Sequence, residues 1–158
     1  MGNYSITDIS ISSDRHKLYC LSCSSDKLVQ TISSLAELSV LSLNIGEELA
    51  SFINNLDDYL YLGIDAYDFA RKLLDRSKAI ISGNGNPVLA IYNFGILLEP
   101  SLEIKAAKLL QEFSKSTSLV IIWVFQIDTP DILIWPSQNQ KFSLNFKDTP
   151  LKIIQYEI

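Results

Sequence analysis

The run Pro87-Val88-Leu89-Ala90-Ile91-Tyr92 constrains the fold more than any other stretch of this chain. It follows the turn-forming residues Gly83-Asn84-Gly85-Asn86, and every side chain from Val88 to Tyr92 is apolar or aromatic. A half-exposed strand alternates apolar and polar residues, so an unbroken run bounded by turn residues predicts a strand buried on both faces. Such a strand needs helices above and below it, which is the arrangement of parallel α/β domains. Ser118 to Phe125 is a second, still more apolar run. It predicts the centre of the sheet, beside the Val88 strand.

The rest of the chain supplies the other layers. Lys17 to Ser22 reads as a first strand, and Ser24-Ser25-Asp26 offers N-caps for a helix with Leu28, Ile32 and Leu35 on one face. Leu38 to Leu43 reads as a second strand. Asn44-Ile45-Gly46-Glu47 has the form of a capping box, opening a helix whose apolar face is Ile45, Leu49, Phe52, Ile53 and Leu56. After Gly63, the aspartates Asp65 and Asp68 introduce a stripe of Ala66, Phe69, Ala70 and Leu73. A further helix is expected from about Pro100, with Leu102, Ala106, Leu109 and Phe113 inward. Ile132 to Trp135, Phe142 to Phe146 and Lys152 to Tyr156 read as short strands that extend the sheet or form a terminal hairpin. The expected product is one three-layer α/β domain over residues 1–158, with a mostly parallel sheet and any ligand beyond the carboxyl ends of its strands.

Composition narrows the function. Of 158 residues, 47% are hydrophobic and 20% charged, which suits a packed domain, and the formal charge of -5 argues against nucleic acid as a direct ligand. Arginine occurs only at 15, 71 and 76, which removes most candidates for a bidentate phosphate clamp. Met1 to Ile6 has neither a basic leader nor an apolar core, and no apolar run approaches the roughly 20 residues that span a bilayer. The expectation is a cytoplasmic protein without a membrane segment.

Chemistry is scarce in this sequence. A phosphate loop needs glycines that let successive N–H groups turn inward, and a lysine that reaches the phosphates. The matching stretch, Ser22-Cys23-Ser24-Ser25-Asp26-Lys27-Leu28, keeps the lysine, has no glycine, and adds a carboxylate. Ser24, Ser25 and Lys27 are therefore the phosphate-binding candidates, through a helix N-terminus and one cation. A strand such as Pro87–Tyr92 would end, in a nucleotide hydrolase, on an acidic residue that holds a metal-bound phosphate. Here it ends Tyr92-Asn93, with no carboxylate before Glu99. Cys20 and Cys23 on an extended segment point to opposite faces, and with His16 the only histidine there is no four-ligand zinc set and no hydrolase triad. No catalytic residue and no metal ligand is assigned. Asp57 and Asp58, adjacent on a helix end, do not share a face. Trp123, inside the apolar strand, belongs to the core. Trp135, with Ile132 and Ile134, is the interface candidate, with Tyr59-Leu60-Tyr61-Leu62 as the second choice.

Several local patterns resemble a known family. They are Leu41-Ser42-Leu43-Asn44-Ile45 leading into Glu48-Leu49, then Leu73-Leu74-Asp75-Arg76, then Val88-Leu89-Ala90 through Leu97-Leu98-Glu99-Pro100-Ser101-Leu102. The strand containing Trp123 and the tail Gln155-Tyr156-Glu157 complete the set. With the order of elements, they resemble the additional-strand class of P-loop NTPases, and within it the small P-loop protein of type 3 BREX phage-defence systems. The resemblance implies a P-loop NTPase-like shell of RecA or AAA order in an antiviral setting. It places that family's phosphate loop on Ser22 to Leu28, its metal-binding aspartate on Tyr92, and its following acidic residue near Gly95. All three positions depart from the pattern. The resemblance therefore implies a degenerate, non-catalytic member that works with a protein partner or as a homo-oligomer and without a cofactor. The alternative is a module that senses a nucleotide or phosphate with little or no hydrolysis.

Overall fold

A computed structural model of the chain describes residue 9 and residues 13–80, 85–129, 131–137, 140–146, 149 and 151–154. Its main sheet has six strands: β1 (Leu18–Ser22), β2 (Ser42–Asn44), β3 (Ala79–Ile80), β4 (Pro87–Tyr92), β5 (Ser118–Trp123) and β9 (Lys152–Ile154). Five of them run parallel in the order β2-β4-β5-β1-β9, and β3 pairs antiparallel with the start of β4. The strands β6 (Ile127–Thr129), β7 (Ile132–Pro136) and β8 (Lys141–Asn145) form a separate antiparallel sheet. The helices are α1 (Leu28–Glu37), α2 (Ile45–Asn54), α3 (Leu62–Ser77) and α4 (Ala106–Phe113). None of them is long and apolar enough to cross a membrane.

The two apolar runs behave as the sequence requires. Every residue of β5 is buried, and it lies between β1 and β4 at the centre of the sheet. Alternate side chains feed two cores. Leu89, Ile91, Leu119, Ile121 and Trp123 join Leu18 and Cys20 in one core under α2, α3 and α4. Val88, Ala90, Val120 and Ile122 join Tyr19 and Leu21 in the other, under Leu35 of α1 and beside Ile9. Ser118 ties that face down by donating to the Ile9 carbonyl at 2.6 Å.

Three expectations need correction. The second strand is Ser42–Asn44, not Leu38–Leu43, because Leu38 ends α1 and Ser39 turns the chain at φ 65°. The helix expected from Pro100 starts at Ala106. Pro100–Leu102 is one 3-10 turn, and Glu103 at φ 53° breaks the helical path. The central strand ends at Trp123 instead of Phe125, and the third tail strand is described only to Ile154, with Gln155 and Tyr156 outside the described residues. Of the two readings of the tail, both hold: β7 and β8 form a hairpin, and β9 extends the main sheet beside β1.

Candidate functional site

Parallel α/β sheets present their ligands beyond the carboxyl ends of the strands, so the site is built from the residues that end β1, β2, β4 and β5. Register places Ser22 opposite Trp123 and Asn44 opposite Tyr92. Between them opens a hollow of about 250 Å³ whose apolar wall is Leu28, Tyr92, Ile122, Val124, Phe125 and Trp135. Two side-chain amides, Asn44 and Asn93, also line it. Among the described residues no carboxylate, lysine or arginine lines it.

The two amides are held by the backbone around them. Asn44 caps α2 by accepting from the Glu47 N–H at 3.0 Å, and its own Nδ2 donates to Glu47 Oε2 at 3.2 Å. The N-cap half of the expected capping box forms, while the Glu47 carboxylate meets the Asn44 side-chain amide instead of its backbone N–H. Asn93 sits at φ 64°, a left-handed conformation that asparagine tolerates better than most residues, and it donates from Nδ2 to Asn44 Oδ1 at 2.8 Å. The reversal at Asn93 sends Phe94 back into the core, 5.5 Å from the Trp123 ring. Gly46 makes the contact possible: a Cβ there would lie 2.5 Å from the Asn93 carbonyl oxygen and 2.8 Å from Asn93 Cγ. The end of β4 is thus locked to the start of α2 by amides, next to Tyr92, where the resembled family carries its metal-binding aspartate.

Ser24, Ser25 and Lys27 are all exposed, on the loop and single 3-10 turn that precede α1. Ser24 makes no side-chain cap, and the turn closes through backbone bonds, from the Lys27 N–H to the Ser24 carbonyl at 3.0 Å and from the Leu28 N–H to the Ser25 carbonyl. Asp26 stands in the same turn. None of the three candidates reaches the hollow; their neighbour Leu28 does. The structure keeps them together and leaves them facing solvent.

Trp135 does line the hollow. It is half-buried, packed against the core under α2–α4, with its ring edge-on to Phe125 at 4.7 Å and to Trp123 at 5.7 Å. Its indole is committed to contacts inside the chain, and Ile132 and Ile134 beside it are half-buried as well. The sequence marked Trp135 as an anchor but did not show what it anchors to. A Phe125 and a Trp135 flanking two short strands was the available signal that the tail folds back over the sheet's carboxyl edge.

Cys20 is buried in the core under α2–α4 and Cys23 packs, half-buried, against the other, so the opposite-face reading holds and both are free thiols. Among the described residues no group of three His, Cys, Asp or Glu side chains gathers in metal-binding geometry. His16 is half-buried. Its Nδ1 stands 3.2 Å from the Gln111 carbonyl at the end of α4.

The chain matches no protein-family model, no curated protein and no solved structure. The functional reading therefore rests on the geometry of this edge and on what the sequence resembles.

Proposed function

We propose that this chain is a non-catalytic, P-loop-like interaction or adaptor subunit of an anti-phage defence system. The observation that carries the proposal is the apolar hollow at the carboxyl edge. Phosphoryl transfer depends on backbone amides, a lysine and a metal held by carboxylates, all converging on the phosphates. Here the converging groups are Leu28, Tyr92, Phe125 and Trp135, and the lysine stands outside. A triphosphate placed among them would lose water and gain no compensating charge, a cost of several kcal/mol at least.

The sheet order supports the family half of the reading. Insertion of β5 between β1 and β4, with β2 and β9 outermost, agrees with the RecA or AAA order that the resemblance implies. The BREX setting rests on that resemblance alone. The sensing alternative draws on Ser24, Ser25 and Lys27, which remain open to solvent.

Equilibrium binding of ATP, with and without magnesium, together with a turnover assay tests the proposal. The expected result is no hydrolysis above background and no magnesium-dependent binding. Saturable binding lost in Lys27→Ala, without turnover, would establish the sensing alternative. Magnesium-dependent turnover abolished by Lys27→Ala would overturn both.

A further inference from the structure

On the reading that this chain works by association, we infer that the hollow at the carboxyl edge of the sheet is a socket for one uncharged aromatic side chain of a partner protein, with tryptophan the best fit. The hollow measures about 250 Å³, below the ~300–1,000 Å³ of pockets that enclose drug-sized ligands. It has room for one large side chain and not for a whole cofactor. Among the described residues no carboxylate, lysine or arginine lines it. An ionised group placed there would lose water and gain no partner.

The walls select a ring. Phe125 and Trp135 meet 4.7 Å apart with their planes at 78°, so both ring faces and ring edges border the hollow, the surfaces with which an incoming aromatic pairs. Phe125 stays 37% exposed after its contacts with Trp123 and Trp135, so part of that ring is open to an occupant. One polar group favours indole over phenyl. Asn93 Nδ2 donates to Asn44 Oδ1, and among the described residues Asn93 Oδ1 accepts from none. It can take the hydrogen of an indole N–H.

The socket is set before an occupant arrives. Trp135 is paired with Phe142 in the β7–β8 hairpin. Gly95 lets its indole lie close to the backbone, since a Cβ there would stand 3.0 Å from Trp135 Cζ2. Asn93 is held to α2 through Asn44, which caps that helix. A ring with two χ angles entering a fixed socket loses little conformational entropy. The occupant also comes from a different protein. This chain has two tryptophans; Trp123 is fully buried and Trp135 is the wall, so a second copy has none to insert. A tryptophan in a central pocket is the common form of an interface hot spot.

The test titrates the whole isotope-labelled chain with N-acetyl-tryptophanamide, an uncharged stand-in for a protein tryptophan, and follows the Trp135 indole and Asn93 amide signals by NMR. Saturable binding is expected. N-acetyl-phenylalaninamide should bind about threefold to tenfold more weakly for want of the hydrogen bond, and N-acetyl-leucinamide more weakly still. Asn93→Gly, which suits the left-handed backbone there, should erase most of the difference between the two aromatic amides while both still bind. Val124→Phe, which fills the hollow from its wall, should abolish binding with no fall in Tm; Leu28→Phe replaces it if that variant does not fold. No binding by the wild type, equal affinity for the leucine and tryptophan amides, an unchanged aromatic preference in Asn93→Gly, or full affinity in a folded filling variant would each overturn the inference. So would tighter binding of free indole than of N-acetyl-tryptophanamide, the mark of a site for a free ring. ATP turnover is read in a separate assay. Turnover would overturn the association reading, whereas absent ring binding in a chain without turnover strikes this site alone.

Discussion

The indole of Trp135 stands edge-on to that of Trp123, with ring centroids 5.7 Å apart and planes at 67°. Trp123 is fully buried at the end of the central strand, and its Nε1 donates to the Gln126 carbonyl at 3.1 Å. Through this contact the small β6-β7-β8 sheet is fastened to the main one. The same contact fills the edge where a ligand of the fold class would bind.

Trp135→Ala follows directly. From the sequence alone, with Trp135 at a free surface, the mutant would keep its thermal transition. With the ring packed on Trp123, Phe125 and Gly95, truncation should cost about 2 kcal/mol, less than for a fully buried tryptophan. For a chain of this length that is a fall in Tm of roughly 4–8 °C. Differential scanning calorimetry checks it; an unchanged Tm would show that the small sheet docks independently of this ring.

Asn44 joins three elements: it ends β2, caps α2 and accepts from Asn93. Asn44→Ala should cost about 1 kcal/mol for the cap and more for the orphaned Asn93 amide. Asn44→Asp keeps the acceptor and places a negative charge at the helix N-terminus, so it should recover most of the loss. Urea denaturation of the three proteins gives the comparison. Equal loss in both variants would mean that the Asn44 Nδ2 contact with Glu47 matters more than the cap.

The thiols should differ sharply. Burial, with a smaller contribution from Cys23, pushes the Cys20 thiol up from 9.0 to about 12. In the folded protein one cysteine should react with a thiol reagent at pH 8, and two after denaturation. The pH dependence has a defined sign. The unfolded chain releases the Cys20 proton near its ordinary value and the folded one holds it, so this contribution to stability is complete below about pH 9 and is lost as pH rises toward about 12. Cys20→Ala should flatten that part of the profile. A fast second thiol in the native state would contradict the burial.

What the sequence revealed was local or strongly patterned. The Asn44–Glu47 cap needs only three residues of separation, and the Val88 and Ser118 runs are apolar on both faces of the strand, so neither depends on distant partners. Ser24, Ser25 and Lys27 stand together before α1, but none caps it with a side chain as the sequence suggested, and their distance from the hollow depends on the path between β1 and α1, which no pattern encodes. Trp135 was legible as an aromatic anchor and illegible as an internal one, because its neighbours Trp123 and Gly95 lie 12 and 40 residues away. Tyr59-Leu60-Tyr61-Leu62 stood out in the sequence as a run of aromatic and apolar residues. Only the structure separates it from the tail, with Leu60 exposed and Trp135 half-buried.

The misplaced second strand supplies the last prediction. Leu38 to Leu43 looks extended because nothing in it is glycine or proline, yet α1 ends there in a Schellman arrangement. The Val40 N–H donates to the Leu35 carbonyl at 2.9 Å and the Ser39 N–H to the Ala36 carbonyl at 3.0 Å. Leu35 and Val40 also share the core on the α1 side, the apolar contact that accompanies this motif. The position that must be left-handed is Ser39, at φ 65°, where a side chain is strained and glycine is not. Ser39 is exposed, so its hydroxyl contributes little packing. Ser39→Gly should therefore stabilise the protein by about 0.5–1 kcal/mol, raising Tm by roughly 1–4 °C, even though glycine loses more entropy on folding. Ser39→Val, β-branched at the same φ, should destabilise by about 1 kcal/mol or more. Thermal unfolding of both variants gives the answer: if Ser39→Gly is neutral or worse while Ser39→Val is tolerated, the α1 terminus does not adopt this turn and β2 begins earlier in the chain.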